Sequence, residues 1–219
     1  KNIPLLLFSL IPFLFFCKSH NINEKAAQQF IPINVSSANY TEVAEINLPD
    51  GFTRKEVSPT SFAHWLRRVN LKQDNTVYLF DGRVKPNQQA QFAVLDISVG
   101  KQNLQQCADA VMRLRAEYLF SLNKYSEISF IDNEGTIYQF TPPYTPAQLD
   151  KYLQKVFGMC GTASLSKQMK AKNIEDMQVG DVLVRGGFPG HAVMVMDMAE
   201  NNNGEKIYML AQSYMPAQD

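Results

Sequence analysis

Apolar residues crowd the first stretch of the chain and then break off abruptly. Ile3 to Phe16 is almost wholly apolar, built from Leu, Ile and Phe and interrupted by Pro4 and Pro12. A bilayer-spanning helix needs about 20 apolar residues. This run is shorter, so residues 1–17 read as an export signal rather than a permanent span. Lys18-Ser19-His20-Asn21 ends it, and residues 18–44 stay polar, rich in Asn, Gln and Ser. That composition predicts a flexible tether.

From residue 45 onward the pattern becomes that of a folded α+β domain, 45–219. Pro49-Asp50-Gly51 marks a turn, and Phe62, Trp65, Leu66 and Val69 share one face of a helix over Ser61 to Val69. Val77 to Phe80, closed by Asp81-Gly82, and Phe92 to Val99, ended by Gly100, read as strands. The strongest helical period follows, with Leu104, Ala108, Val111, Leu114, Tyr118 and Leu122 recurring in step. Asn103 is its expected cap and Gln106 the return partner of a capping box. Asp109–Arg113 and Arg113–Glu117 are then i,i+4 pairs on its outer face.

Ile128 to Asp132 and Thr136 to Phe140 predict a hairpin around Asn133-Glu134-Gly135. Thr145-Pro146 opens another helix, with Pro at its first position and Leu149, Tyr152, Leu153, Val156 and Phe157 inside. Gly158 and Gly161 interrupt it, and a shorter helix follows to about Lys170. The last third is strand-rich: Asp181 to Val184, His191 to Met198 and Lys206 to Gln212, the last two joined by the Asn/Gly turn at 201–204. Helices first and a small antiparallel sheet last define the fold class.

Composition narrows the function more than the fold. The chain is 45% hydrophobic and 19% charged, with 21 basic and 21 acidic residues and no basic stripe, so nucleic acid is not an expected partner. Three cysteines are too few for a disulfide scaffold. No CxxC, HxxxH or HExxH run occurs, so no metal or other cofactor is expected. Cys17, at the end of the apolar run with Leu14 three residues before it, is a candidate lipid-attachment site that would tie the protein to a membrane. The alternative is ordinary cleavage a little downstream, which would discard Cys17.

The remaining chemistry converges on Cys107 and His191. Cys107 stands in the first turn of its helix, where free N–H groups and the positive end of the helix dipole favour a thiolate. His191 opens an apolar strand directly after Gly186-Gly187-Phe188-Pro189-Gly190. A helix-start thiol and a strand-start imidazole are what a nucleophile and its base require. Counting across the 191–212 hairpin brings Gln212, Ser213 and Tyr214 beside His191. Gln212 is the chosen third member, because its amide oxygen can accept from a ring N–H. Gln102 and Gln106 are candidate side-chain donors to an oxyanion, beside the Cys107 backbone N–H. The bland readings are a core cysteine, a sheet histidine, and a Cys107–Cys160 disulfide in an oxidising compartment.

Gly180-Asp181-Val182-Leu183 followed by Gly190-His191-Ala192-Val193-Met194-Val195 resembles the pattern of NlpC-type cell-wall endopeptidases. The resemblance implies a papain-like fold and a cysteine amidase or peptidase, with Cys107, His191 and a polar third residue as its site. The usual D-C-S-G run is replaced here by Gln106-Cys107-Ala108-Asp109. Leu104 to Tyr118 and Ala211 to Asp219 resemble, more closely, an uncharacterised family of exported bacterial proteins, over about residues 45–219. That resemblance implies a chain continuing beyond Asp219 and brings no established activity. Two functions therefore stand open: an exported thiol hydrolase acting on an amide, such as that of cell-wall peptide, and a non-catalytic, ligand-binding lipoprotein of the cell envelope that reuses the same fold.

Overall fold

The computed structural model describes residues 40–219. The expected export signal, Cys17 and most of the expected tether lie outside the described residues. The packed chain begins ahead of residue 45: Tyr40 and Val43 are already buried, and Val43–Glu45 forms a short 3-10 turn. The fold is α+β, with four helices and two antiparallel sheets among the described residues.

Strand β1 (Phe52–Arg54) and helix α1 (Phe62–Arg67) come first. Ser61 caps α1, its hydroxyl accepting the His64 N–H at 3.1 Å. Helix α2 (Cys107–Ser121) is the centre of the molecule and packs against α1, α3, α4 and the sheet. Met112 and Ala116 are wholly buried, and Ala108, Val111, Leu114 and Leu119 nearly so. Burying a Val or Leu side chain contributes roughly 1.5–3 kcal/mol, so this helix anchors the core. Strands β2 (Ser129–Ile131) and β3 (Ile137–Gln139) form the expected hairpin. Helix α3 (Pro146–Met159) has Thr145 as its cap and Pro146 at its start, and runs through Gly158. Helix α4 (Thr162–Gln168) follows after Cys160 and Gly161.

The main sheet is built on one long strand. Strand β5 (His191–Asn201) pairs with β4 (Val182–Arg185) through its first four residues and with β1 through its last three. Strand β6 (Lys206–Ala211) pairs with β5 through Met194 to Glu200. Between Val195 and Asp197 the register slips by one residue, so Met196 is an insertion opposite the Leu210–Met209 step. Such a bulge resets the alternation of side chains. Asp197, which strict alternation along β5 would put on the His191 face, lies buried between Arg54 and Arg67, 2.6 Å from each guanidinium Nε.

Two expected strands are absent. Val77 to Phe80 and Phe92 to Val99 make only isolated bridges, Tyr78 to Val84, Leu79 to Gln218 and Leu95 to Leu71. Their apolar residues are used for burial: Val77 and Val94 are in the interior. A short apolar run reports burial, and irregular chain can supply that as well as a strand can.

Candidate active site

Helix α2 begins at Cys107 itself, three residues later than an Asn103 cap predicts. Gln106 is the cap, with extended backbone, and Asp109 is the residue that reaches back. The Gln106 N–H donates to Asp109 Oδ2 at 2.8 Å. Asn103 is used elsewhere, its Oδ1 accepting the Ala217 N–H at 2.7 Å. The change of cap also alters the outer-face pairs: Arg113 binds Glu117 at 2.7 Å as expected, while Asp109 is buried. Cys107 thus occupies the first helical position, where the N–H has no intrahelical acceptor.

His191 is delivered to this helix start by the first residue of β5. The preceding turn lies tightly against α4. Thr162 Oγ1 donates to Gly187 O at 3.1 Å, and Arg185 Nη2 donates to Pro189 O at 3.0 Å. A Cβ on Gly190 would lie 1.9 Å from Thr162 Oγ1 and 2.4 Å from Gly187 O, so only glycine fits at that close approach.

The two side chains meet. The Cys107 thiol and the His191 ring are hydrogen-bonded, and both are half-buried. His191 Nε2 lies 2.9 Å from Gln212 Oε1. With Nε2–H donating to that amide, Nδ1 is the nitrogen left for the sulfur. Burial pushes the Cys107 thiol up. The His191 hydrogen bond, its charge and the backbone N–H groups of Ala192 and Ala108 outweigh that, and hold the thiol below its ordinary value. His191 moves the other way: the Cys107 hydrogen bond raises it against burial, and Gln212 adds to the rise. Opposite shifts in a bonded pair favour thiolate and imidazolium together.

Tyr214 is the residue that sequence reasoning placed nearby without giving it a role. Its ring stacks on His191 with centroids 4.9 Å apart and planes 24° from parallel. The register carries the signal: continuing the β5–β6 pairing from Met194–Ala211 sets Tyr214 opposite His191. The two oxyanion candidates are less engaged. Gln102 is exposed in the turn before α2, and Gln106 Nε2 reaches Asn103 Oδ1 at 3.5 Å.

Cys160 belongs to the core. It is buried at the end of α3, and burial pushes its thiol up to about 11, helped by the charges of Asp132 and Asp109. Both Cys107 and Cys160 are free thiols, and no bond joins them. Among the described residues, no group of three His, Cys, Asp or Glu side chains could hold a metal ion.

The mixed α+β fold thus brings a helix-start thiol, a strand-start imidazole and a side-chain amide together. The chain belongs to the family described as Domain of unknown function (4846), whose model matches residues 43–145 and 132–219 and so includes all three groups. No curated protein and no solved structure matches the chain.

Proposed function

We propose that this protein is an exported, papain-like cysteine hydrolase that cleaves an amide bond, with peptide of the cell wall as the substrate class its resemblance favours. The observation that carries the reading is the hydrogen-bonded row from Cys107 through His191 to Gln212. The Cys107 thiolate attacks the carbonyl carbon, and the charge on oxygen is met by N–H groups at the start of α2. The His191 imidazolium gives its proton to the departing amine as the C–N bond breaks, leaving a thioester on Cys107. His191 then takes a proton from water, whose oxygen attacks the thioester. The acid leaves, and the thiolate and imidazolium are restored. Gln212 and the Tyr214 ring hold the imidazole in the plane this requires. A lipid on Cys17 would place the enzyme at a membrane outside the cytoplasm.

Alkylation of Cys107 by iodoacetamide tests the pair without a known substrate. An ordinary thiol is only a few per cent thiolate at pH 7, so the folded protein should react about tenfold faster than a free cysteine there. Its rate should persist down the pH scale past the point where a free thiol goes silent, because the Cys107 shift is downward. His191→Ala should cut the rate at pH 6–7 to that of a free thiol. Equal rates in the two proteins would favour the other reading, a non-catalytic, ligand-binding lipoprotein.

A further inference from the structure

Two cations stand close to the row of reacting groups. Arg185 is the β4 residue paired directly with His191 across the strands, and its charge acts on the imidazole. Residues so placed have Cβ atoms about 5 Å apart. On another side, Lys85 Nζ lies 5.2 Å from the centre of the Tyr214 ring, the ring that stacks on His191. Lys85 is half-buried there, and burial pulls its ammonium below the ordinary lysine value. Neither cation has a carboxylate partner among the ion pairs of the described residues. The two acids on the nucleophile's own helix offer no balance: Asp109 is turned inward and buried, and Glu117 is paired with Arg113. Lys85, partly desolvated with no carboxylate beside it, keeps an unsatisfied demand for an anion, and Arg185, exposed and bonded only to the Pro189 carbonyl, adds a second positive charge beside the reacting centre.

We infer that Lys85 and Arg185 are specificity-determining residues that make this site select an anionic substrate, a peptide with a free carboxylate close to the amide to be cut. This rests on the thiol reading of the same site. The carboxylate would lie on the His191 side of the sulfur, between the guanidinium of β4 and the ammonium over Tyr214. A neutral peptide of the same shape would leave both cations without an anion, so charge separates otherwise equal substrates.

Two alkylating reagents of nearly equal size test this on the intact protein: iodoacetate, an anion, and iodoacetamide, which is neutral. In both reactions the Cys107 thiolate forms a C–S bond and iodide departs. The readout is the ratio of the two rate constants, iodoacetate over iodoacetamide. The imidazolium of His191 raises that ratio on its own, so the decisive comparison is between variants. Lys85→Gln and Arg185→Gln should each lower the ratio about two- to fivefold, as expected for removing one charge at intermediate dielectric. The double variant should lower it further, and raising salt to about 0.5 M should shrink the difference between wild type and variants. Lys85→Arg and Arg185→Lys should keep the wild-type ratio, which separates charge from loss of packing. A double Gln variant that alkylates quickly but with the wild-type ratio overturns the inference and leaves the thiol reading intact. A wild-type Cys107 no faster than free cysteine toward iodoacetamide defeats the thiol reading, and this inference falls with it.

Discussion

Asp109 sits where a carboxylate is poorly solvated. It is 5% exposed, its Oδ1 has no hydrogen-bond partner, and its Oδ2 holds the Gln106 N–H. Burial, only partly offset by that backbone bond, lifts its acid to about 7. An unfolded Asp titrates near 4. The folded state therefore keeps a proton that the unfolded state releases between about pH 4 and pH 7. Stability falls as pH rises through that window, by at most about 4 kcal/mol, and levels off above it. Asp109→Asn keeps an oxygen for the Gln106 N–H and removes the ionisation. It should be nearly neutral at pH 4 and stabilising by about 2–4 kcal/mol at pH 8, read from urea unfolding at the two pH values. Parallel stability profiles for the two proteins would refute this account. Sequence spacing makes Asp109 an outward partner of Arg113, because with Asn103 as the cap its carboxylate has no cap N–H to reach back to. Cys107, His191 and Gln212 were legible at this scale, since each follows from a helix start, a strand start or a hairpin count. The interior place of Asp109 depends on which residue caps α2, and several polar residues there can do so.

The 186–190 turn works as an element, fixing where β5 begins and so where His191 points. The sequence made the turn legible as glycine-rich. It did not reveal what the glycines make room for, because α4 approaches from elsewhere in the chain. A Cβ on Gly190 meets the Thr162 side chain and two backbone oxygens, Gly187 O and Arg185 O, at 2.9 Å or closer. Backbone cannot yield as a side-chain end can. Gly190→Ala should therefore cost about 1–3 kcal/mol and displace His191, lowering Cys107 alkylation at pH 6–7 toward the free-thiol rate. Gly204→Ala is a contrasting change, since its Cβ would meet only the Glu200 side chain at 3.8 Å and its positive φ lies in a turn remote from Cys107. It should cost stability through backbone strain while leaving the alkylation rate unaltered. A Gly190→Ala protein with full thiol reactivity would show that the turn does not aim the imidazole. The bulge at Met196 was likewise invisible beforehand. An insertion in an apolar strand leaves the hydrophobic pattern unbroken when both faces are covered, as they are from Met194 to Ala199.

At the scale of the molecule, Asp197 fastens three separate pieces of chain. Its Oδ2 accepts from Arg54 of β1 and its Oδ1 from Arg67 of α1, while Arg54 also reaches Ile46 O and Arg67 reaches Lys55 O. The α+β class and the final sheet were readable from local periodicity, but this joint was not, because its members lie in three distant segments. Removing one partner of a buried charge pair costs about 3–5 kcal/mol, since the charge left behind has no water to replace it. Asp197→Ala should reach that range, and Asp197→Asn somewhat less, because one amide oxygen can still accept. Arg67→Met alone should also be costly, leaving Asp197 to Arg54. The diagnostic measurement is the double variant Asp197→Asn/Arg67→Met, which removes both buried charges of that pair. Its loss should be smaller than the sum of the two single losses by at least about 1 kcal/mol, because groups in one ion-pair network do not act independently. Strict additivity in chemical denaturation would mean that Arg67 and Asp197 stabilise the fold separately. In that case the junction of β1, α1 and β5 would rest on the apolar packing of Leu66 and its neighbours alone.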